Sequence, residues 1–380
     1  MKKLFWFGIL GLLLFEIANV YFIMPMPGSQ KMNSIDLAYF LYSWRWAFRV
    51  LFLLMIVVGL FGSHWKRKWL LIIPVGLLAA VIYMANFKMA ADHMFYQTRK
   101  LLMVNAAANK VDSGRLVIGV TLNGEAKAFP IRFLGYHHQV QDTVGGKPVI
   151  VTYCTVCRTG RVFEPIVDGK YEKFRLVGMD HFNAMFEDVT TKSWWRQVTG
   201  EAITGKLKGQ QLPQVFSTQT SLAEWLRLNP NSLIMQADSA FIKAYDTTGN
   251  YEAGKSKNNL TGTDSLSWKD KSWVIGVKAG ANKKVYDWNK LKAERIIQDK
   301  IENTPVVIVL ANDNKSFFAF ERPNENSVFG LNNDVLDYNN HHYRIDGRGI
   351  DTSFSLKPLQ TSQEFWHSWR TFYPGTKKYE

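Results

Sequence analysis

Cysteine is nearly missing from this sequence: Cys154 and Cys157, in the stretch VTYCTVCRTGR, are the only two among 380 residues. That excludes a disulfide-dense scaffold. Arg158, not histidine, follows the second cysteine, which excludes covalent haem. Phosphate-binding loops are absent too, because VGGKP lacks the required glycine spacing, so no nucleotide is expected. No Gly-x-Ser-x-Gly elbow occurs. Adjacent carboxylates such as Glu187 and Asp188 point to opposite faces of a strand, which leaves a two-carboxylate mechanism without support. Lys and Arg number 46 against 32 Asp and Glu. The excess is dispersed among acidic residues and forms no basic stripe with interleaved aromatics, so nucleic acid is not an expected partner.

Long apolar runs are abundant, but only near the N-terminus. They cover about residues 4–23, 41–61 and 69–87, each close to the ~20 residues a helix needs to cross a bilayer. The first could be a signal peptide, but Glu16 interrupts it and MPMPG follows in place of a small-residue cleavage site. Lys2 and Lys3 precede the first run, and HWKRKW joins the second to the third. The positive-inside rule places both on the cytoplasmic side. The expectation is a multi-pass cell (inner) membrane protein, with the lipid bilayer as its partner and everything after Phe87 on the periplasmic side.

Beyond residue 88 the hydrophobic period changes to two. Asn123-Gly124, Gly145-Gly146 and Asp168-Gly169 each separate two short alternating runs, the mark of hairpins. A shift of 157 residues lays 117–164 over 274–321 with 12 of 48 positions identical, including Val-Ile-Gly-Val at both starts, Gln-Asp, Pro-Val and Phe-Glu. The fold class expected is N-terminal transmembrane helices plus a mostly-β (α+β) extracytoplasmic domain built from two related β-rich repeats. The boundaries read as a membrane anchor over 1–88, a helical connector over 89–110, a first repeat over 111–235, a polar linker over 236–270, and a second, degenerate repeat over 271–380. Residues kept in both halves serve the scaffold; Asp142 and Asp299 are expected to cap turns. Residues present in one half alone are better candidates for chemistry. Cys154 faces Ala311, Cys157 faces Asn314, His137 and His138 face Glu294 and Arg295, and Arg161 faces Phe318.

The segment VIGVTLNGEAKAFPIRFLGYHHQVQDTVGGKPVIVTYCTVCRTG, with WWRQVTGEAITGKLKGQQLPQV after it, resembles the bacterial family named domain of unknown function 3179. The resemblance spans about residues 111–380. It implies no established activity. Members usually carry Pro after the first cysteine and Gly after the second, where this chain has Thr155 and Arg158. His181 and Asn183 stand where the family usually has Asn and Asp.

An apolar strand runs into the cysteine pair and a Gly- and β-branched strand leaves it, so the pair sits on a tight knuckle rather than at the helix start a thioredoxin-like site needs. Three readings follow. The first is a structural disulfide between Cys154 and Cys157 in a non-catalytic binding or assembly module. The second is a Zn or Cu site built from Cys154, Cys157, His137 and His181, since thiolate and imidazole suit both ions. The third is a redox or nucleophilic thiol beside Arg158 and Arg161, an enzymatic variant of which uses His137. His93 reads as packing, and His341-His342 as part of a polar loop.

Overall fold

The computed structural model of the chain describes residues 1–246 and 249–380; Thr247 and Thr248, within the 236–270 segment, lie outside the described residues. The chain divides into two compact, interleaved units. One comprises Met1–Tyr96, Glu172–Arg196 and Glu201–Gln211; the other comprises Gln97–Tyr171, Gln197–Gly200 and Leu212–Glu380.

In the first unit, Lys2–Tyr21 and Lys68–Lys88 are each long and apolar enough to cross a membrane. The middle run is two helices, Ile35–Ser43 and Arg45–Phe61, bent by 61°, where the sequence suggested one span over 41–61. The bend has a visible cause. Ala38, Tyr39 and Tyr42 pack with Val177, Met185, Trp194 and Ile203 of the unit's own sheet, so the sheet sets the direction of Ile35–Ser43. Arg45 then donates to Tyr42 O at 2.6 Å and ends that helix by satisfying a free carbonyl. Helices Lys2–Tyr21 and Arg45–Phe61 approach so closely that a Cβ on Gly59 would lie 2.3 Å from Phe5 N, a contact only a small residue permits. A polar knot also joins the apolar helices. Arg49 donates to Glu16 at 2.6 and 2.9 Å and to Asn86 Oδ1 at 2.7 Å, and Asn86 Nδ2 donates to Glu16 at 2.9 Å. Each charge in it is paired, as burial in a low-dielectric setting demands.

The sheet of this unit runs Ala202–Thr204, Trp194–Arg196, Asn183–Asp188, Phe174–Asp180. Glu187 and Asp188 serve it as anchors: Trp194 Nε1 donates to the first at 3.0 Å and Trp195 Nε1 to the second at 2.9 Å.

The second unit is mostly strand. Leu116–Leu122, Glu125–Pro130, helix Ile131–His137, Gln139–Val144, Lys147–Cys154 and Thr159–Phe163 follow one another; so do Trp273–Ala279, Asn282–Asp287, helix Trp288–Glu294, Ile296–Ile301, Thr304–Leu310 and Phe317–Glu321. Later elements complete each series alike. Thr218 pairs with Gly119, and Ser362 with Gly276, both antiparallel. Leu233 pairs with Lys127, and Lys377 with Lys284, both parallel. Ile118 and Ile275 are buried, as are Val149 and Val306. Asp142 and Asp299, expected to cap turns, take ion pairs from Lys127 at 3.0 Å and Lys284 at 2.7 Å.

Two stretches differ from the sequence reading. The 89–110 segment is helical only at Ala91–Met94 and in a short 3-10 turn at Ala106–Ala108, because Met103–Val104 is drawn out as a strand against Ile234–Met235. The polar 236–270 segment does more than connect. Its aromatic residues Phe241, Tyr245 and Tyr251 are buried in the core with Phe133 and Tyr153.

Candidate functional site: a buried thiol pair

Strand Lys147–Cys154 ends at the first cysteine, residues 155–158 turn, and Thr159 starts the return strand opposite Cys154. Both cysteines are buried; they lie 3.9 Å apart and are not disulfide-bonded. The disulfide expected as one reading is therefore not formed here. Arg158 holds the turn with φ +55°, a conformation costly for a residue with a Cβ unless its side chain is fixed elsewhere. It is fixed. Arg158 Nε donates to Gln363 Oε1 at 2.9 Å, Nη1 to Tyr251 O at 3.3 Å and Nη2 to Glu252 O at 3.1 Å. Its guanidinium also stacks 3.6 Å from the Trp273 ring.

Two further residues reach the turn from distant sequence. Lys271 Nζ donates to Val156 O at 2.9 Å, between the two cysteines, and to Leu260 O at 2.5 Å. His367 Nε2 lies 3.0 Å from Val156 O, to which it donates, and 3.3 Å from Lys271 Nζ. The Phe365 N–H donates to Cys157 O at 2.9 Å. Burial holds the Lys271 ammonium below the usual lysine range, while the sulfurs of Cys157 and then Cys154 pull it back up. The attraction is mutual: an ammonium beside two thiols favours their thiolate form. Burial, and then the Lys271 charge, lower the His367 pKa to about 4, so at neutral pH this imidazole is uncharged.

The other sequence candidates lie elsewhere. His137 ends helix Ile131–His137, with Nε2 2.6 Å from Tyr245 OH and its ring against Tyr136 and Phe241. His181 belongs to the first unit, where Nδ1 is 2.6 Å from Asp180 Oδ1 and Nε2 3.1 Å from Asn33 Oδ1. Among the described residues, no group of three or more His, Cys, Asp or Glu is placed to hold a metal ion, so a four-ligand Zn site of Cys154, Cys157, His137 and His181 is not assembled. His342 pairs with Asp337 on an exposed hairpin at 2.6 Å. Arg161, expected beside the thiols as a cation, is committed to a buried ion pair with Glu364.

Two histidines of the second unit make its stability pH-dependent. His138 is pushed down to about 4, chiefly by burial, and His367 likewise. Between pH 6.5 and 4 the unfolded chain binds protons that these native imidazoles refuse, so stability is complete above pH 6.5 and falls as pH drops through that window. The expected loss is on the order of 3 kcal/mol per histidine. Urea titrations at pH 7.5 and 4.5, with His367→Gln and His138→Gln, check it: each substitution flattens the dependence, and an unchanged slope contradicts the assignment. His181 works the other way. Its hydrogen bond to Asp180 raises its pKa, so its contribution in the first unit is present below pH 6.5 and lost as pH rises.

These features define the class: an N-terminal set of apolar helices joined to a mostly-strand domain of many small sheets, with a buried Cys-x-x-Cys turn. Residues 98–376 match the family described as Protein of unknown function (DUF3179), and the chain belongs to that family. No curated protein and no solved structure shows a significant match to it.

Proposed function

We propose that Cys154 and Cys157 form a reversible dithiol–disulfide centre, held outside the cytoplasm by a three-pass membrane anchor. The carrying observation is that two cysteines 3.9 Å apart and not disulfide-bonded share a turn with a buried Lys271 and a neutral His367. In the forward step the thiolate attacks an external disulfide and forms a mixed disulfide. The second cysteine then attacks the first sulfur and closes the internal bond. Two thiols leave with the two electrons and two protons that the dithiol gives up. Lys271 stabilises the attacking thiolate, and the backbone bonds from Lys271, His367 and Phe365 hold the turn in place.

The asymmetry of the two strand series supports this reading. If they are halves of one duplication, as the matching registers of Gly119 and Gly276 and of Lys127 and Lys284 suggest, Cys154 and Cys157 correspond to Ala311 and Asn314. Lys271 then corresponds to Gly114, and His367 to Ala223. On that alignment none of the four groups is repeated in the other half: the first half supplies the two cysteines and the second supplies Lys271 and His367, so the centre is built once, by both halves together. The spacing of the sulfurs also favours a second reading, two-coordinate Cu(I), because soft thiolates select that ion without further ligands. Cu(I) titration of the reduced protein separates the two: stoichiometric binding lost in Cys154→Ser marks the copper site.

The anchor is tested by topology. A reporter fused after residue 105 is expected to behave as extracytoplasmic and one at Ser63 as cytoplasmic; a cytoplasmic C-terminal reporter contradicts the arrangement.

A further inference from the structure

Two lysines face each other across a hairpin of the second unit. Lys278 on Trp273–Ala279 is the direct cross-strand partner of Lys283 on Asn282–Asp287, and like charges placed opposite one another destabilise a sheet. Both ammonium groups lie over the Tyr373 ring, 5.1 and 4.8 Å from its centre. Lys378 joins the same face. It is the strand partner of Val285, two residues on from Lys283, and its ammonium stands 4.6 Å from the Trp268 ring and 4.7 Å from the Trp366 ring. All three lysines keep accessible surface. The carboxylates around them are committed elsewhere: Glu364 to Arg161, Asp299 to Lys284, Glu302 to Lys377 and Asp270 to Arg370. Among the described residues no ion pair takes Lys278, Lys283 or Lys378, and Lys278 Nζ donates to the neutral Gln214 Oε1 at 3.1 Å. Burial, then the Arg161 charge and, less strongly, Lys283 push the Lys278 pKa down to about 7, against the pull of Glu364. The scaffold does not ask for this crowding. Thr121 and Ala126 pair in the Leu116–Leu122 hairpin as Lys278 and Lys283 do here, and Ile234 opposes Ala128 as Lys378 opposes Val285.

We infer that this face binds a phosphate group, gripped by Lys278 and Lys283 with Lys378 beside them. A phosphate monoester carries about −1.5 to −2 charge at neutral pH on three terminal oxygens, so one group can satisfy both facing ammoniums, where a carboxylate neutralises one. Its arrival restores the full charge of Lys278, because an anion beside an amine favours the protonated form. The inference goes beyond the thiol reading and draws on no residue of the thiol turn.

The test is the rate at which an amine reagent labels Lys278, followed by peptide mass spectrometry on the full chain in phosphatidylcholine nanodiscs. With about 10 mM inorganic phosphate, Lys278 labelling should slow about fivefold, the protection a low-millimolar site gives. Sodium acetate at the same ionic strength should leave the rate unchanged, as should phosphate at the exposed Lys147, which serves as internal control. Lys283→Met should abolish the protection, because the second ammonium is the one removed. A parallel arm replaces free phosphate with phosphatidic acid in the nanodisc. Protection by free phosphate marks a soluble phosphate ligand, and protection that needs phosphatidic acid marks a lipid headgroup. No protection in either arm, equal slowing at Lys147, or protection that survives Lys283→Met overturns the inference.

Discussion

Glu364→Ala is expected to destabilise the second unit by about 3–5 kcal/mol, because it strands Arg161 as an unpaired buried charge. Arg161 and Glu364 are almost wholly buried and directly ion-paired. Ser362 and Ser368 each donate to the carboxylate at 2.9 Å, and Arg161 Nε donates to Val198 O at 3.2 Å. Desolvating two charges is expensive, and only this full set of partners offsets the cost. The double variant Arg161→Met/Glu364→Leu should therefore keep more stability than Glu364→Ala alone. Chemical denaturation of the three proteins decides it; a single variant within 1 kcal/mol of the parent would show that the pair carries little, since exposed pairs contribute about 0–1 kcal/mol.

The second large effect is steric. Gly276 lies under Trp369, and a Cβ there would come within 1.7 Å of the ring; at Gly119 a Cβ would come within 2.1 Å of Trp225. Trp369 is fully buried, so the ring has little room to give. Gly276→Ala and Gly119→Ala are each expected to cost about 3 kcal/mol through overpacking. Equal losses in the two variants also support the duplication, because the strand that pairs with each glycine leads into the helix carrying its tryptophan. A tolerated alanine at one position and not the other contradicts equivalence there. Thermal unfolding of the purified variants is the measurement.

Much of the strand order was legible in the sequence, and the reason is physical. The Asn123-Gly124 and Gly145-Gly146 turns require positive φ at both residues, and the structure gives it to all four. Trp273–Ala279 is buried continuously from Val274 to Val277, so it reads as a short apolar run bounded by turn residues. The knuckle was legible for the same reason, because a strand pattern entered and left the cysteine pair. The bend at Trp44 was not legible. The apolar run over 41–61 crosses Trp44 without a helix-breaking residue, and it is the packing of Tyr39 and Tyr42 on the sheet, with Arg45 on Tyr42 O, that separates the two helices. Lys271 and His367 were missed because neither sits at motif spacing from the cysteines. His137 looked functional beside Tyr136 and Phe133; in the structure its ring packs against Tyr136, Phe241 and Tyr245, with Tyr245 OH on its Nε2.

The most direct test is the thiol–disulfide equilibrium of Cys154 and Cys157 in glutathione redox buffers, read by alkylating and counting thiols after denaturation. Two thiols should disappear together in one two-electron transition and return on reduction. Lys271→Met should shift the equilibrium about tenfold toward the disulfide, about 30 mV, because the reduced, thiolate-bearing form loses its ammonium. Thiols that stay reduced across the whole buffer range, or a transition that Lys271→Met leaves in place, would contradict a reversible dithiol centre built on this turn.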